Sequence, residues 1–271
     1  MSPHARRPPA PQVRRFGRVN WIGLATLYRR DLLRALRDLI DGLLGPVLTN
    51  LLFLAVFRLA LGDAQWPVAG ISLVGFVAPA LILFAVAERA LTATSGAILF
   101  DKYTGVIGDL VMAPLTPLEL VLGRASAAAT AGLLTGAALA LVFLPLGGIL
   151  PARPFAALFF AAATGILFAL IGIVVGLWSR RWDHHTIAHS FLFIPPAYFS
   201  GMFYPVGGLP ELGRSLVRFN PFYYGLDGFR HAVTGWREGD PRLGALVLLL
   251  LILAIGFIAH RLVRSGYRIK A

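Results

Sequence analysis

The sequence predicts an all-α membrane protein: six transmembrane helices preceded by an amphipathic interfacial helix, a docking helix in one cytoplasmic loop and a re-entrant helical hairpin on the outer side. Three observations carry this prediction. Of 271 residues, 57% are hydrophobic and only 14% charged, with a mean hydropathy of +0.73, well above that of a soluble domain of this length. Six mostly apolar runs each reach the roughly twenty residues that cross a bilayer core as a helix. The arginines behind a formal net charge of +12 fall at the ends of those runs. That is a pattern of membrane orientation, whereas nucleic-acid binding needs a soluble basic face. There are no cysteines, which excludes disulfides and thiolate metal sites.

Residues 1–19 read as a disordered basic cytoplasmic tail. MSPHARRPPAPQVRRFGR is rich in Pro and Arg and has no apolar stretch, so it is not a cleavable secretory signal; a transit peptide, which would also lack acidic residues, is the alternative. NWIGLATLYRRDLLRALRDLI (20–40) then predicts a helix with Asn20 as its N-cap. Trp21, Leu24, Tyr28, Leu32, Ala35, Leu36 and Leu39 follow three-four spacing, while Arg29, Arg30, Arg34 and Arg37 lie largely off that stripe. Such a helix lies in the membrane interface with its arginines among anionic headgroups; a packed helix with a solvated face is the other reading.

The six spans fall at about 41–61, 69–95, 125–149, 155–178, 186–206 and 243–262, so that 20–262 forms one transmembrane domain and 263–271 a second cytoplasmic tail. Lys and Arg number nine up to residue 40, two in 96–124, two in 179–185 (Arg180 and Arg181) and four at the C-terminal end counting Arg261. The intervening segments on the other side hold none, one (Arg153) and five. Seventeen against six places both termini in the cytoplasm. The last outer loop weighs least in this count, because four acids, Glu211, Asp227, Glu238 and Asp240, accompany its five arginines.

Between the second and third spans lies FDKYTGVIGDLVMAPLTPLELVLGR, residues 100–124. A loop that only connects spans would be polar and rich in Gly and Ser. Here Tyr103, Val106, Ile107, Leu110, Val111 and Met112 take near-helical apolar spacing beside Asp101, Lys102 and Asp109, as a surface built for docking would. Pro114 and Pro117 are expected to end this short helix and turn the chain back. A second informative stretch, residues 199–235, is FSGMFYPVGGLPELGRSLVRFNPFYYGLDGFRHAVTG. Pro195 and Pro196 bend the fifth span before it. Leu212, Leu216 and Phe219 then mark one short helix, Leu226, Phe229 and Val233 another, with Asn220-Pro221 between. Their aromatic content predicts that the pair re-enters the outer leaflet, where it can close a pathway.

Several chemistries are absent from the sequence. No G-x-x-x-x-G-K-[ST] occurs and neither lysine, Lys102 or Lys270, follows a glycine, so the chain holds no nucleotide in a P-loop. Ionisable residues within the spans are few: Glu88 and Arg89 in the second and Arg58 near the end of the first, with Asn50 as a polar neighbour. Asn50 and Glu88 are candidates for lining a path, or Glu88 is bonded inside the bundle while Arg89 snorkels. His184, His185 and His189 make one HHxxxH, short of the further ligands a metal site needs, so no metal is expected. Ser200 lacks a base at matching depth. An ATP-independent secondary carrier and a membrane-embedded enzyme acting on lipid-linked substrates through the three histidines are the rival readings.

The combination of the 100–124 stretch with NPFYYGLDGFRHAVTG, preceded by FSGMFYPVGGLP, resembles the ABC-2-type permease family, the membrane subunits of ABC exporters. The likeness covers about residues 20–262. It implies a transport subunit and not an enzyme, in the bacterial cytoplasmic (inner) membrane, carrying a lipid, glycan or drug-like substrate among membrane lipids. It further implies a homodimer or a pairing with a sister permease, driven by separate P-loop ATPase subunits that hold ATP and Mg while this chain holds no cofactor; nucleic acid is not a partner. By similarity the cytoplasmic coupling helix comprises Asp101, Lys102, Tyr103, Val106, Asp109, Leu110, Met112 and Pro114. Asp109 stands where members usually carry Glu, and Val106-Ile107-Gly108 replaces their usual Gly-Thr-Leu. Asn220, Pro221, Tyr224, Gly228, Phe229, Arg230 and Gly235 match the outer-hairpin pattern, either as gate residues or as holders of its shape, Pro221 as a turn and Arg230 satisfying hairpin carbonyls.

Overall fold

A computed structural model describes residues 19–37, 45, 48–53, 55, 56, 59, 71–147 and 150–268. No strand occurs among them. The α-helices are α1 (Trp21–Arg37), α2 (Leu73–Tyr103), α3 (Val106–Met112), α4 (Pro117–Gly147), α5 (Pro154–Trp178), α6 (Trp182–Ala188), α7 (Ile194–Tyr198), α8 (Glu211–Arg218), α9 (Pro221–Thr234) and α10 (Pro241–Arg264). Among the described residues four helices, α2, α4, α5 and α10, are long and apolar enough to cross a membrane. The predicted span 41–61 lies largely outside the described residues, although 48–53 is helical and Asn50 is buried there.

Helix α2 is the centre of the bundle, with α4 and α5 packed along it and Phe76, Val77, Ala78, Ala80, Leu83 and Ala87 sealed from the surface. Glycine permits these close approaches. A Cβ at Gly132 of α4 would stand 2.5 Å from the Val86 carbonyl, and one at Gly172 of α5 the same distance from the Leu91 carbonyl. Small residues of this kind let helix backbones meet where lipid offers no hydrophobic drive between them. Helix α10, by contrast, turns Leu246, Leu249, Leu250, Leu253 and Phe257 outward, as a helix facing lipid does.

Two of the predicted spans are longer than expected and one is broken. Helix α2 runs to Tyr103 instead of ending near 95, and α4 begins at Pro117 instead of 125, which shrinks the intervening loop to 104–116. The charges taken as loop markers, Asp101, Lys102, Glu119 and Arg124, are each bonded within the bundle and so do not terminate a helix. Pro117 accordingly opens α4 at its first turn, where a missing N–H costs nothing, and does not end α3. The predicted span 186–206 is α6, a five-residue π-helical segment His189–Phe193, and α7, ending at Tyr198. Pro195 and Pro196 cannot donate to the carbonyls of Phe191 and Leu192, and the backbone widens just before them, with the Ile194 N–H reaching back to the His189 carbonyl.

The order of contacts fixes two opposite ends. At one, α9 meets the start of α5, with Arg153 N–H donating to the Ala232 carbonyl at 2.9 Å. At the other, the Arg268 guanidinium donates to the Trp178 carbonyl at the end of α5, 2.6 Å away.

Helix α9 fits its groove only because it carries glycine. A Cβ at Gly228 would come within 2.1 Å of the Phe160 ring, and one at Gly225 within 2.3 Å of the Thr164 hydroxyl. Gly228→Ala is therefore expected to destabilise the protein by about 1–3 kcal/mol through overpacking, whereas Gly108→Ala, with nothing within 4 Å of its Cβ, should be close to neutral. Thermal unfolding of the two variants in detergent makes the comparison.

Candidate functional site: a braced docking helix and a clamped hairpin

At the end where α2 stops, Gly105 takes φ 76°, a left-handed turn that glycine adopts without strain, and α3 follows at once. Ile107 is buried and Leu110 half-buried over an apolar hollow lined also by Ile98, Val121 and Ile173. Anchored there, α3 turns Gly108, Asp109 and Met112 outward, Met112 with 78% of its surface exposed. Tyr103 and Pro114 flank it, also exposed, and the Tyr103 ring stacks over Trp182 at 6.4 Å. Val106 is half-buried.

Asp101 and Lys102, expected on the docking surface, point into the protein instead. The Asp101 carboxylate is fully buried and accepts from Arg124 Nη2 at 2.5 Å, Arg34 Nη1 at 3.0 Å and Arg30 Nη2 at 3.1 Å. Asp31 joins the cluster, accepting from Arg30 at 2.8 Å. Burial works against the charge of Arg30, but Asp31 and Asp101 outweigh it and hold the guanidinium above its ordinary range. One carboxylate thereby ties α1, α2 and α4 together. Lys102 Nζ caps the end of α5, donating to the carbonyls of Gly176, Leu177 and Ser179 at 2.9, 2.6 and 3.0 Å. A cation at a helix C-terminus meets the negative end of its dipole.

The brace continues through Asn20. Its side chain caps α1 by accepting from Gly23 N–H at 2.9 Å, as predicted, and also donates to the Pro114 carbonyl at 3.0 Å. Asn20 N–H donates in turn to Glu119 at 2.7 Å, whose other oxygen accepts from Thr116 N–H at 2.6 Å, while Glu119 N–H donates to the Thr116 hydroxyl at 3.2 Å. Thr116 and Glu119 form a capping box, a T-x-x-E signal present in the sequence but passed over in the expectation that Pro117 ends a helix. Helix α1 itself packs on α4, Leu24 and Leu27 seated against Gly123, while Trp21, Ile22 and Leu33 stay exposed. The predicted stripe is thus shifted: Leu27, Asp31 and Ala35 are its buried positions, and Arg30 and Arg34 reach inward from its edge.

At the opposite end the hairpin residues converge on Arg230, which is 1% exposed. Its Nε donates to the Phe76 carbonyl at 3.1 Å, its Nη2 to the Gly201 and Met202 carbonyls at 3.0 and 3.4 Å, and its plane lies 3.8 Å from the Phe76 ring centre. A planar fork of donors is suited to bind several carbonyls at once. Asn220 caps α9, accepting from Phe222 N–H at 3.0 Å and donating to the Pro196 carbonyl, with Pro221 at the first helical position. Tyr224 donates to the Arg218 carbonyl at 2.7 Å; Gly235 ends α9 with φ 80°; Phe229 is buried. Asp227, not singled out from the sequence, accepts from the Glu238 and Gly239 N–H groups at 2.8 and 3.0 Å and closes the turn after α9.

The three histidines part ways. His185 Nε2 meets the Ser95 hydroxyl at 2.8 Å, His189 Nε2 meets Glu88 at 3.1 Å, and His184 stacks on Trp178. Glu88 is therefore bonded inside the bundle while a quarter of its side chain, 27%, stays exposed.

Residues 23–234 match the family model described as ABC-2 type transporter. The chain belongs to that family. An inner membrane transport permease of Escherichia coli (strain K12), YadH, is 26% identical over 254 residues, covering 93% of this chain and 98% of that one. Nodulation protein J of Rhizobium leguminosarum bv. trifolii is 27% identical over 263 residues, covering 92% and 96%. This ABC-2 chain is accordingly an integral membrane transport permease, and the braced end and the clamped end frame its membrane helices.

Proposed function

We propose that this permease is the path-forming subunit of an exporter whose power stroke arrives at α3 from a separate ATPase. The observation that carries the reading is the seating of α3: its apolar face is fixed to the bundle while Tyr103, Asp109, Met112 and Pro114 face outward, at the end opposite the Arg230 hairpin. In this reading that end is cytoplasmic, both termini lie on the same side of a bacterial inner membrane, and the four described membrane helices, with the segments expected at 41–61 and 186–206, make up a six-span subunit. Two copies, or this chain with a sister permease, enclose the path, with Asn50 and Glu88 along it. The partner ATPase supplies the P-loop, ATP and Mg. Asp101, Lys102, Asn20 and Glu119 act as the frame that carries a push on α3 into α1, α2, α4 and α5 as one body. The hairpin closes the outer end. Such coupling requires the ATP-bound partner to favour one orientation of the helices, and a rigid-body shift of the braced end is the element it would bias. The cargo class is a lipid, a glycan or a drug-like molecule.

The Asp109 side chain is exposed and makes no bond or ion pair among the described residues, so its reversal tests docking with little disturbance of the fold. Asp109→Arg is expected to leave insertion and thermal stability unchanged and to lower permease-dependent ATPase stimulation by about tenfold or more, since reversing a charge at a matched interface costs binding. Undiminished stimulation in that variant, at equal membrane abundance, would argue against α3 as the docking element.

A further inference from the structure

Helix α8 and the 3₁₀ turn before it border a cleft of about 440 Å³ at the hairpin end, beside the Arg230 clamp, since its wall includes Trp236, whose ring lies 5.7 Å from the Arg230 guanidinium. Arg214 and Arg218 both line it. They are four residues apart and so share one face of α8, a spacing at which like charges repel. Neither forms an ion pair among the described residues. Arg214 is held in place by its Nε, which donates to the Leu209 carbonyl at 2.7 Å. The rest of its fork and the whole guanidinium of Arg218 remain available for bonding.

Two further features suit a ligand. Gly207 and Gly208 line the same cleft with ordinary negative φ, and a Cβ on either would meet no atom within 4 Å. Together they leave open space beside the two arginines, while the Gly207 N–H is engaged by the Glu238 carboxylate. Across the cleft stand Tyr223 and Trp236, and among the described residues that line it Glu238 is the acid. That carboxylate is engaged by the Val206 N–H at 2.5 Å and by the Gly207 N–H, and burial, only partly offset by Arg230, keeps it above the usual carboxylate range.

We propose that this cleft binds a phosphate-bearing group between Arg214 and Arg218, with Trp236 and Tyr223 packing against whatever the phosphate is attached to. Paired guanidinium groups recognise phosphate oxygens through charge-assisted bonds. In the orientation proposed above, on which the outer placement rests, the group is either the headgroup of an outer-leaflet lipid or a soluble phosphate compound outside the membrane. In both cases the site adds a recognition step next to the hairpin.

The test uses the full chain in nanodiscs of phosphatidylcholine, with or without a minor fraction of phosphatidylglycerol, and inorganic phosphate as the soluble probe. Binding is followed by retained lipid in native mass spectrometry and by tryptophan emission, with Trp236→Phe identifying the responding ring. The expected result is one saturable site, weakened about tenfold or more in the Arg214→Gln/Arg218→Gln variant, weakened also in Gly207→Val, and unchanged in Arg180→Gln/Arg181→Gln at the opposite end. Saturation by phosphatidylglycerol alone assigns the site to a lipid headgroup; saturation by inorganic phosphate in pure phosphatidylcholine assigns it to a soluble compound. Equal binding of both probes by the parent chain and the double Gln variant overturns the proposal. Because the chain has no cysteine, Arg218→Cys reports sidedness separately: labelling by an impermeant maleimide from outside the cell supports the outer placement, and labelling only from the cytoplasm overturns that placement without touching the phosphate result.

Discussion

Arg230→Met is expected to be among the most damaging single substitutions in the protein, lowering stability by about 3–5 kcal/mol. The guanidinium is sealed from solvent and is the donor shared by the Phe76, Gly201 and Met202 carbonyls, so methionine fills the volume while withdrawing every bond. It also removes the cation lying over the Phe76 and Trp236 rings. Arg230→Lys should recover only part of the loss, because a single ammonium cannot span carbonyls on both α2 and the turn at 201–202. The measurement is the detergent unfolding midpoint, with protease access at the turn following Gly201 as a local readout. A methionine variant as stable as the parent would mean that the hairpin is held mainly by its apolar contacts.

The second large effect is expected at the other end. Asp101→Asn keeps the shape of the side chain but removes the charge that three arginines share. Breaking a buried ion pair costs about 3–5 kcal/mol, and since Arg30 and Arg34 are each about a third exposed the lower end, near 3 kcal/mol, is expected here. The unfolding midpoint should fall by roughly 5–10 °C. Arg124, 8% exposed, should contribute most of the loss, so Arg124→Gln ought to approach the effect of Asp101→Asn and combine with it less than additively. Arg29→Gln, an exposed arginine on the same helix as Arg30, should stay within about 0.5 kcal/mol of the parent. Full additivity of the Asp101 and Arg124 variants would show that the two groups act independently.

The contrast between these ends explains what could be read from the sequence. Four of the apolar runs long enough to span, though two with shifted bounds, the Asn20 cap and the two short helices around Asn220-Pro221 follow from local chemistry and are present among the described residues. Arg230 as a partner of backbone carbonyls was also legible, because its guanidinium fork needs several acceptors at once, and the structure gives it three carbonyls. The charged residues around 100–124 were misplaced because sequence alone treats a charge as a mark of solvent. Asp101 and Arg124 satisfy each other across two helices that are neighbours only after folding, and Arg30 and Arg34 arrive from residues about seventy positions away. The π-helical segment at His189–Phe193 was legible only as a bend, because the two prolines that follow it withdraw two N–H donors without showing how the backbone re-bonds. Of the residues proposed for docking, Tyr103, Asp109, Met112 and Pro114 are the ones left exposed after folding.

The central claim is that α3 is the docking point of a separate ATPase, and co-purification tests it most directly. Tagged protein drawn from native membranes in mild detergent should bring down a soluble P-loop ATPase in near-equal amount, and Asp109→Arg should lose that subunit while Asp101→Asn, if it survives extraction, loses it only in proportion to unfolded protein. A chain that purifies alone and transports cargo without an ATPase would contradict the account.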